Sequence, residues 1–170
     1  MRCVKPTKIF HAVLPALITV SLLAGCAGLS VAPVQPGMSQ AEVVSRMGTP
    51  SRLVPLASGS RMQYSGQPAN PSAVMVDLDA TGKVTTVRQV MALAALSKIV
   101  PGSWSRDDVE REFGPPALVD RVASWQGDIM TYRWLDLDQR MQFWVYLDTA
   151  NRVQRVGQGM EIPARFRDND

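Results

Sequence analysis

The sequence predicts an α+β fold, with short capped helices packed on antiparallel β-sheet and the whole unit written twice in tandem. Three observations predict it. Ser39/Ser105, Val43/Val109, Gly48/Gly114 and Pro50/Pro116 recur at a spacing of 66, and Val76–Val84 matches Val145–Val153 at a spacing of 69. Each copy opens with the same helix-start signals. Each then runs into segments that alternate apolar and polar residues with a period of two. Helices followed by runs of strands specify an α+β layer, whereas a parallel sheet would alternate the two.

The elements follow in order. Ser39 and Ser105 are N-cap residues, with Glu42 and Asp108 three places on to complete a capping box. Met38 with Val43, and Trp104 with Val109, form hydrophobic staples across each helix start. Val43, Val44 and Met47 make one apolar face, and Val109 and Phe113 the other. Gly48 and Gly114 end the helices, and Pro50 and Pro115 prevent their continuation. Helices of about two turns are marginal alone and must pack on something. In copy one Val74, Val76 and Leu78 point inward and residues 84–90 form the next strand. Residues 91–100 (MALAALSKIV) predict a connecting helix with Leu93, Leu96 and Val100 on one face. In copy two, strands are predicted over 117–122, 129–135, 140–147 and 153–158. Gly82 and Asn151 hold equivalent places after Asp79 and Asp148, where a bulged hairpin needs a left-handed residue. Units of about 60 residues bury little surface alone. The two copies are therefore expected to share one sheet or pack as one body.

The chain has 18 Lys and Arg against 15 Asp and Glu, a net charge of +3. Arg2, Lys5 and Lys8 account for that excess, and they lie in a 25-residue leader without acids. The leader has a basic start, a 15-residue apolar run from Ile9 to Leu23, and small residues after it. That run is shorter than the ~20 residues of a spanning helix and reads as a secretory signal. Without the leader the charges balance, which leaves no electrostatic footprint for nucleic acid. Without it the chain also lacks His, and Cys26 is its single thiol. Ser-His-Asp and Cys-His catalysis, His-ligated zinc and an internal disulfide are thereby excluded. No resident cofactor or metal is expected, and no catalytic residue is assigned.

Leu23-Ala24-Gly25-Cys26 resembles the bacterial lipoprotein cleavage box. The resemblance implies cleavage between Gly25 and Cys26 and a covalent lipid on Cys26. An ordinary leader with an incidental Cys is the alternative. Ala27 follows where Asp would resemble an inner-membrane retention signal, so the resemblance implies outer-membrane anchoring facing the periplasm. Several acyl chains hold a protein stably at a bilayer. Residues 27–36 carry two prolines and no charge, and read as a tether. The domains expected are the leader (1–25), lipidated Cys and tether (26–36), a first repeat (37–90), and a connector, second repeat and tail (91–170).

Gly37, Met38, Ser39, Val43, Gly48, Pro50, Tyr64 and Gly82 in copy one, with Trp104, Ser105, Val109, Gly114, Pro116 and Tyr132 in copy two, resemble the SmpA/OmlA (BamE-like) family of outer-membrane lipoproteins. The resemblance implies a helix pair on a three-stranded antiparallel sheet. In tandem it is similar to the arrangement of β-lactamase-inhibitor proteins. It implies a non-enzymatic scaffold that binds envelope proteins, accessory to the machinery inserting β-barrels into the outer membrane. An inhibitor-like or cell-wall-binding module on the same fold is the alternative.

Arg140, Gln142, Trp144 and Tyr146 alternate with Met141, Phe143, Val145 and Leu147. If the apolar set faces the helices, those four face outward, and Trp, Tyr and Arg dominate binding hot spots. They are the candidate partner-binding residues; burial under the tether, the tail or the other copy is the alternative. Asp77 and Asp79 share a strand face and read as a solvated edge and a turn. Asp136-Leu137-Asp138 begins like a calcium loop but lacks its later Gly and Glu, and reads as a hairpin turn.

Overall fold

The computed structural model describes residues 33–162. The leader, Gly25, Cys26, most of the tether and the tail from residue 163 lie outside the described residues. Elements run α1 (Gln40–Met47), β1 (Arg52–Leu56), β2 (Gly59–Ser65), β3 (Ala73–Asp79), β4 (Val84–Gln89), α2 (Leu93–Leu96), α3 (Arg106–Phe113), β5 (Leu118–Asp120), β6 (Ile129–Asp136), β7 (Gln139–Leu147) and β8 (Val153–Met160). They form two antiparallel four-stranded sheets, ordered β1-β2-β3-β4 and β5-β6-β7-β8. The fold is α+β, as the sequence predicts.

Both capping boxes form. Ser39 Oγ accepts from Glu42 N at 3.3 Å while Glu42 Oε2 accepts from Ser39 N at 2.7 Å. The shorter Asp108 reaches equally well: Ser105 Oγ accepts from Asp108 N at 3.2 Å, and Asp108 Oδ2 from Ser105 N at 2.9 Å. Losing such a cap strands backbone donors at the helix start. Ser105→Ala is expected to cost about 1 kcal/mol, a fall of roughly 3–5 °C in Tm. An unchanged Tm would show that this cap contributes nothing.

Both helices end alike. Gly48 and Gly114 sit at φ 80° with ψ near −170°, a region essentially closed to side chains. Tyr64 Oη donates to Gly48 O at 3.1 Å and Tyr132 Oη to Gly114 O at 2.9 Å. The long hairpins agree as well. Gly82 (φ 76°) and Asn151 (φ 59°) take the left-handed position, and the ladders shift register at Asp77/Leu78 and Tyr146/Leu147.

Four layers stack as α1, the first sheet, α2 with α3, and the second sheet. Val43 of α1 meets Met62, Val76, Leu78 and Val84 on one face of the first sheet. Val34 joins this cluster and Arg46 Nη1 donates to Pro33 O at 3.2 Å, so residues 33–36 of the expected tether already belong to the folded body. The main core takes Ala73 and Met75 from the opposite face of the same sheet. It adds Leu96, Ile99, Val109 and Phe113 from the middle layer, and Met130, Tyr132, Phe143 and Val145 from the second sheet. The halves thus share a core while each keeps its own sheet.

The joint is polar as well as apolar. Arg61 and Gln63 of β2 are buried facing the C-terminal end of α3. Arg61 Nη1 and Gln63 Nε2 both donate to Arg111 O at 3.0 Å, and Gln63 Nε2 also to Glu110 O at 2.9 Å. Those carbonyls belong to the last turn, where the dipole is negative; Glu110 O also accepts from Gly114 N at 2.9 Å, while Arg111 O lies beyond the reach of the helix's own donors. One half therefore caps a helix of the other.

Several expectations are corrected. Each sheet has four strands where the resemblance implies three: β1 and β2 join the first, and β5, expected over 117–122, forms over Leu118–Asp120 alone in the second. β1 contains Pro55, which an outer strand tolerates. The connector helix spans Leu93–Leu96 alone. Ala92 offers it no side-chain cap, and Pro101 disfavours helical backbone at Val100. Leu96 and Ile99 are buried, whereas Val100 turns outward. Asp77 is no solvated edge: Arg61 Nε and Nη2 clamp it at 2.5 and 2.9 Å. Asp79 is the turn former expected, accepting from Thr81 N at 2.8 Å and Lys83 N at 3.0 Å.

Candidate functional site

The site is built on β7, the strand between β6 and β8. Phe143, Val145 and Leu147 are buried on its inner side with Met141 packed against the same core. Period-two geometry then turns Arg140, Gln142, Trp144 and Tyr146 to the outer face together. The structure brings these four side chains onto one surface, as the alternation predicts.

Neighbouring strands complete that surface. Arg155, Gly157 and Gly159 of β8 stand opposite Tyr146, Trp144 and Gln142, while Thr131 and Arg133 of β6 stand opposite Trp144 and Gln142. The Trp144 indole lies over the two glycines. A methyl group placed on Gly159 would meet its Cη2 at 2.7 Å, so only glycine lets the ring lie this flat. Tyr146 meets Trp125 edge to face at 5.3 Å. The Arg155 guanidinium sits 3.9 Å from the Tyr146 ring centre and 5.3 Å from that of Trp125. The Trp125 indole donates to Leu147 O at 2.7 Å, which ties its loop to the end of β7.

Polar groups rim these rings. Arg133 Nε lies 2.9 Å from Glu161 Oε1, and Arg140 Nη1 lies 4.0 Å from Glu161 Oε2. Beside Trp125 opens a cleft of about 600 Å³ lined by Arg121, Asp128, Asp148 and Asn151. Hydrogen bonding to Arg121 holds the Asp128 carboxyl below its usual range, and Arg106 adds to this. Asp128 is therefore a charge partner, ill suited to hold a proton near neutral pH.

Trp125, Arg133, Arg155 and the two glycines were not among the candidates read from the sequence. The pattern Arg155-x-Gly157-x-Gly159 has the same period as Trp144 and Tyr146 and carried the signal for β8. Trp125 sits in an aperiodic loop and carried none. Asp136 pairs with Gln139 to flank a two-residue hairpin turn made of Leu137 and Asp138, with Leu137 at φ 53° and 94% exposed. Among the described residues no three or more His, Cys, Asp or Glu side chains are placed to hold a metal. No described helix is long and apolar enough to cross a membrane.

No family model matches the chain, and no curated protein matches it. Among solved structures it is similar to a DUF4309 family protein, YjgB, from Bacillus subtilis subsp. subtilis str. 168. That likeness has 13% identity and a TM-score of 0.31 over 72% of this chain and 78% of that one. It is also similar to an extracellular protein containing a SCP domain from Bacillus anthracis str. Ames, with 13% identity and a TM-score of 0.31 over 96% of this chain. The match spans 57% of that second protein. Likenesses of this strength assign neither fold nor function.

Proposed function

We propose that this chain is an outer-membrane-anchored periplasmic lipoprotein that works without catalysis, as a protein-binding scaffold. In this reading Cys26 carries the lipid, and the two halves are copies of one BamE-like unit. The outer face of the second sheet binds envelope proteins in support of β-barrel assembly and envelope integrity.

Matched detail supports the duplication: two Ser capping boxes, two terminal glycines at φ 80°, and two Tyr hydroxyls on those glycines' carbonyls. The observation that carries the binding reading is the outer sheet face. It places Trp125, Trp144, Tyr146 and Arg155 side by side. Aromatic rings and arginine supply large contact area at low entropic cost, and are the residue types that dominate interface energetics.

Affinity purification from detergent-solubilised membranes tests the reading. The native chain is expected to recover barrel-assembly components. Trp144→Ala is expected to weaken that recovery by tenfold or more, since a central hot-spot truncation costs about 2 kcal/mol. Its Tm should fall only modestly, because the ring lies on the sheet surface outside both cores. Full recovery with the variant would remove this face from the interface. A hydrolase or glycan recovered in place of assembly components would favour the inhibitor-like or cell-wall reading. Cys26→Ala is expected to leave the membrane fraction or remain unprocessed, because the acyl chains supply the anchor. A variant that is processed and still fractionates with the outer membrane would rule the lipid out.

A further inference from the structure

We propose that β8 is a homodimerisation edge: two copies pair β8 to β8, antiparallel about a twofold axis at Gln158, joining their second sheets into one eight-stranded sheet. This inference is independent of the envelope function proposed above.

The backbone points to it first. Glu161 N donates to Arg140 O at 3.0 Å, which extends the β7–β8 ladder by one pair beyond Gln142↔Gly159. Antiparallel geometry then directs the odd residues Arg155, Gly157, Gly159 and Glu161 at β7. Val156, Gln158 and Met160 turn their N–H and C=O outward. Among the described residues no backbone group outside β8 takes these up. Strand edges are ordinarily blunted by proline, lysine or short length. Of the four edge strands, β1 has Pro55, β5 is three residues long and β4 six, whereas β8 is the longest at eight residues, with neither proline nor lysine. Its start alone is covered, by Trp104 O accepting from Val153 N at 2.9 Å.

Side chains then select a second copy over any other strand. Pairing about Gln158 sets Val156 against Met160, Gly157 against Gly159, and Arg155 against Glu161, each pair occurring twice. Met160 is 65% exposed, and Val156 already packs at the core margin. The pairing would lay the exposed thioether on that margin. The glycine pairs keep the outer face flat beside each Trp144 ring. The charges are complementary in the same register. Arg155 faces no carboxylate among the described residues, only the rings of Trp125 and Tyr146. Glu161 already pairs through Oε1 with Arg133 at 2.9 Å, but its Oε2, 4.0 Å from Arg140, is buried without a hydrogen-bond donor among the described residues and has room for a further cation. Opposed charges across a strand pair are stabilising.

The test uses the full chain with Gln158→Cys, oxidised in unfractionated cell extract with detergent, so that it reads out wherever the chain resides, and separated without reductant. The native chain sets the background from Cys3 and Cys26. The expected result is a disulfide-linked species at twice the chain mass, several-fold above Gln154→Cys, which lies on the same strand but far from its own symmetry mate. Adding Arg155→Glu is expected to abolish the cross-link, and adding Arg155→Glu with Glu161→Arg to restore it. Restoration also shows that the reversed charges fold. A Gln158→Cys species no stronger than background overturns the proposal, as does equal cross-linking at residue 154. So does a mixed disulfide of different mass, which would assign the edge to another protein's strand. Failure of the charge reversal to restore the dimer overturns the register.

Discussion

Arg61→Ala is expected to destabilise the protein by about 3 kcal/mol, because it removes a buried cation and leaves two half-buried carboxylates short of a partner at the joint between the halves. Arg61 is 6% exposed. It holds Asp77 at 2.5 Å and Glu112 at 2.6 Å, and donates to Arg111 O. Arg88 is the remaining cation, hydrogen-bonded to Glu112 and 3.6 Å from Asp77. It is half-exposed and keeps the loss below the upper end for a buried pair. The variant is expected to melt roughly 10–15 °C lower. A loss under about 1 kcal/mol would mean that Arg88 and water satisfy the cluster alone.

The same cluster predicts an acid dependence. Burial raises the proton affinity of Asp77 and of Glu112, but their bonds and charge interactions with Arg61 and Arg88 outweigh it, so both carboxyls sit below their ordinary values. A carboxyl depressed by folding stabilises the native state above its unfolded pKa. That contribution is lost as pH falls through the lower folded value. Native Tm is therefore expected to be level above about pH 5 and to fall steadily below it. Arg61→Ala should show a shallower acid slope, since part of the differential proton affinity leaves with the cation. Exposed carboxylates such as Asp79 and Asp148 contribute alike to both proteins, so the difference between the curves isolates the joint. Parallel slopes would place the acid sensitivity elsewhere.

Phe113→Ala is expected to cost about 3–5 kcal/mol through lost burial and an unfilled cavity. The ring is fully buried at the end of α3, 6.2 Å from the Trp104 ring and 6.1 Å from that of Tyr132. Its cluster draws on β3 of the first sheet and on β6 and β7 of the second. The whole body is therefore expected to melt earlier in one transition. Separate transitions for the two halves would show that the common core does not couple them.

Local grammar was readable wherever it depends on neighbours in the chain. A capping box needs two side chains three residues apart, so Ser39 with Glu42 and Ser105 with Asp108 were visible without any fold. The alternation along β7 was equally self-contained, and it placed Trp144 and Tyr146 correctly on one surface. β2 was hidden for the opposite reason. Arg61 and Gln63 look like a solvent-facing row, yet they are buried because Glu110, Arg111 and Glu112 meet them from some fifty residues away. The connector was overextended because Ala and Leu propensity is a weak prior against an uncapped start and a proline stop.

By itself, then, the sequence determined the α+β class, where each main helix begins and ends, which hairpins turn on Gly82 and Asn151, and which face of β7 looks outward. These depend on backbone sterics, side-chain period and hydrogen bonds of short reach. Only the tertiary structure decided that two sheets form, that the first is covered on both faces, and that Trp125 and Arg155 complete the aromatic surface. Those outcomes depend on contacts between residues distant in sequence, whose desolvation and charge pairing exist only once the layers have closed.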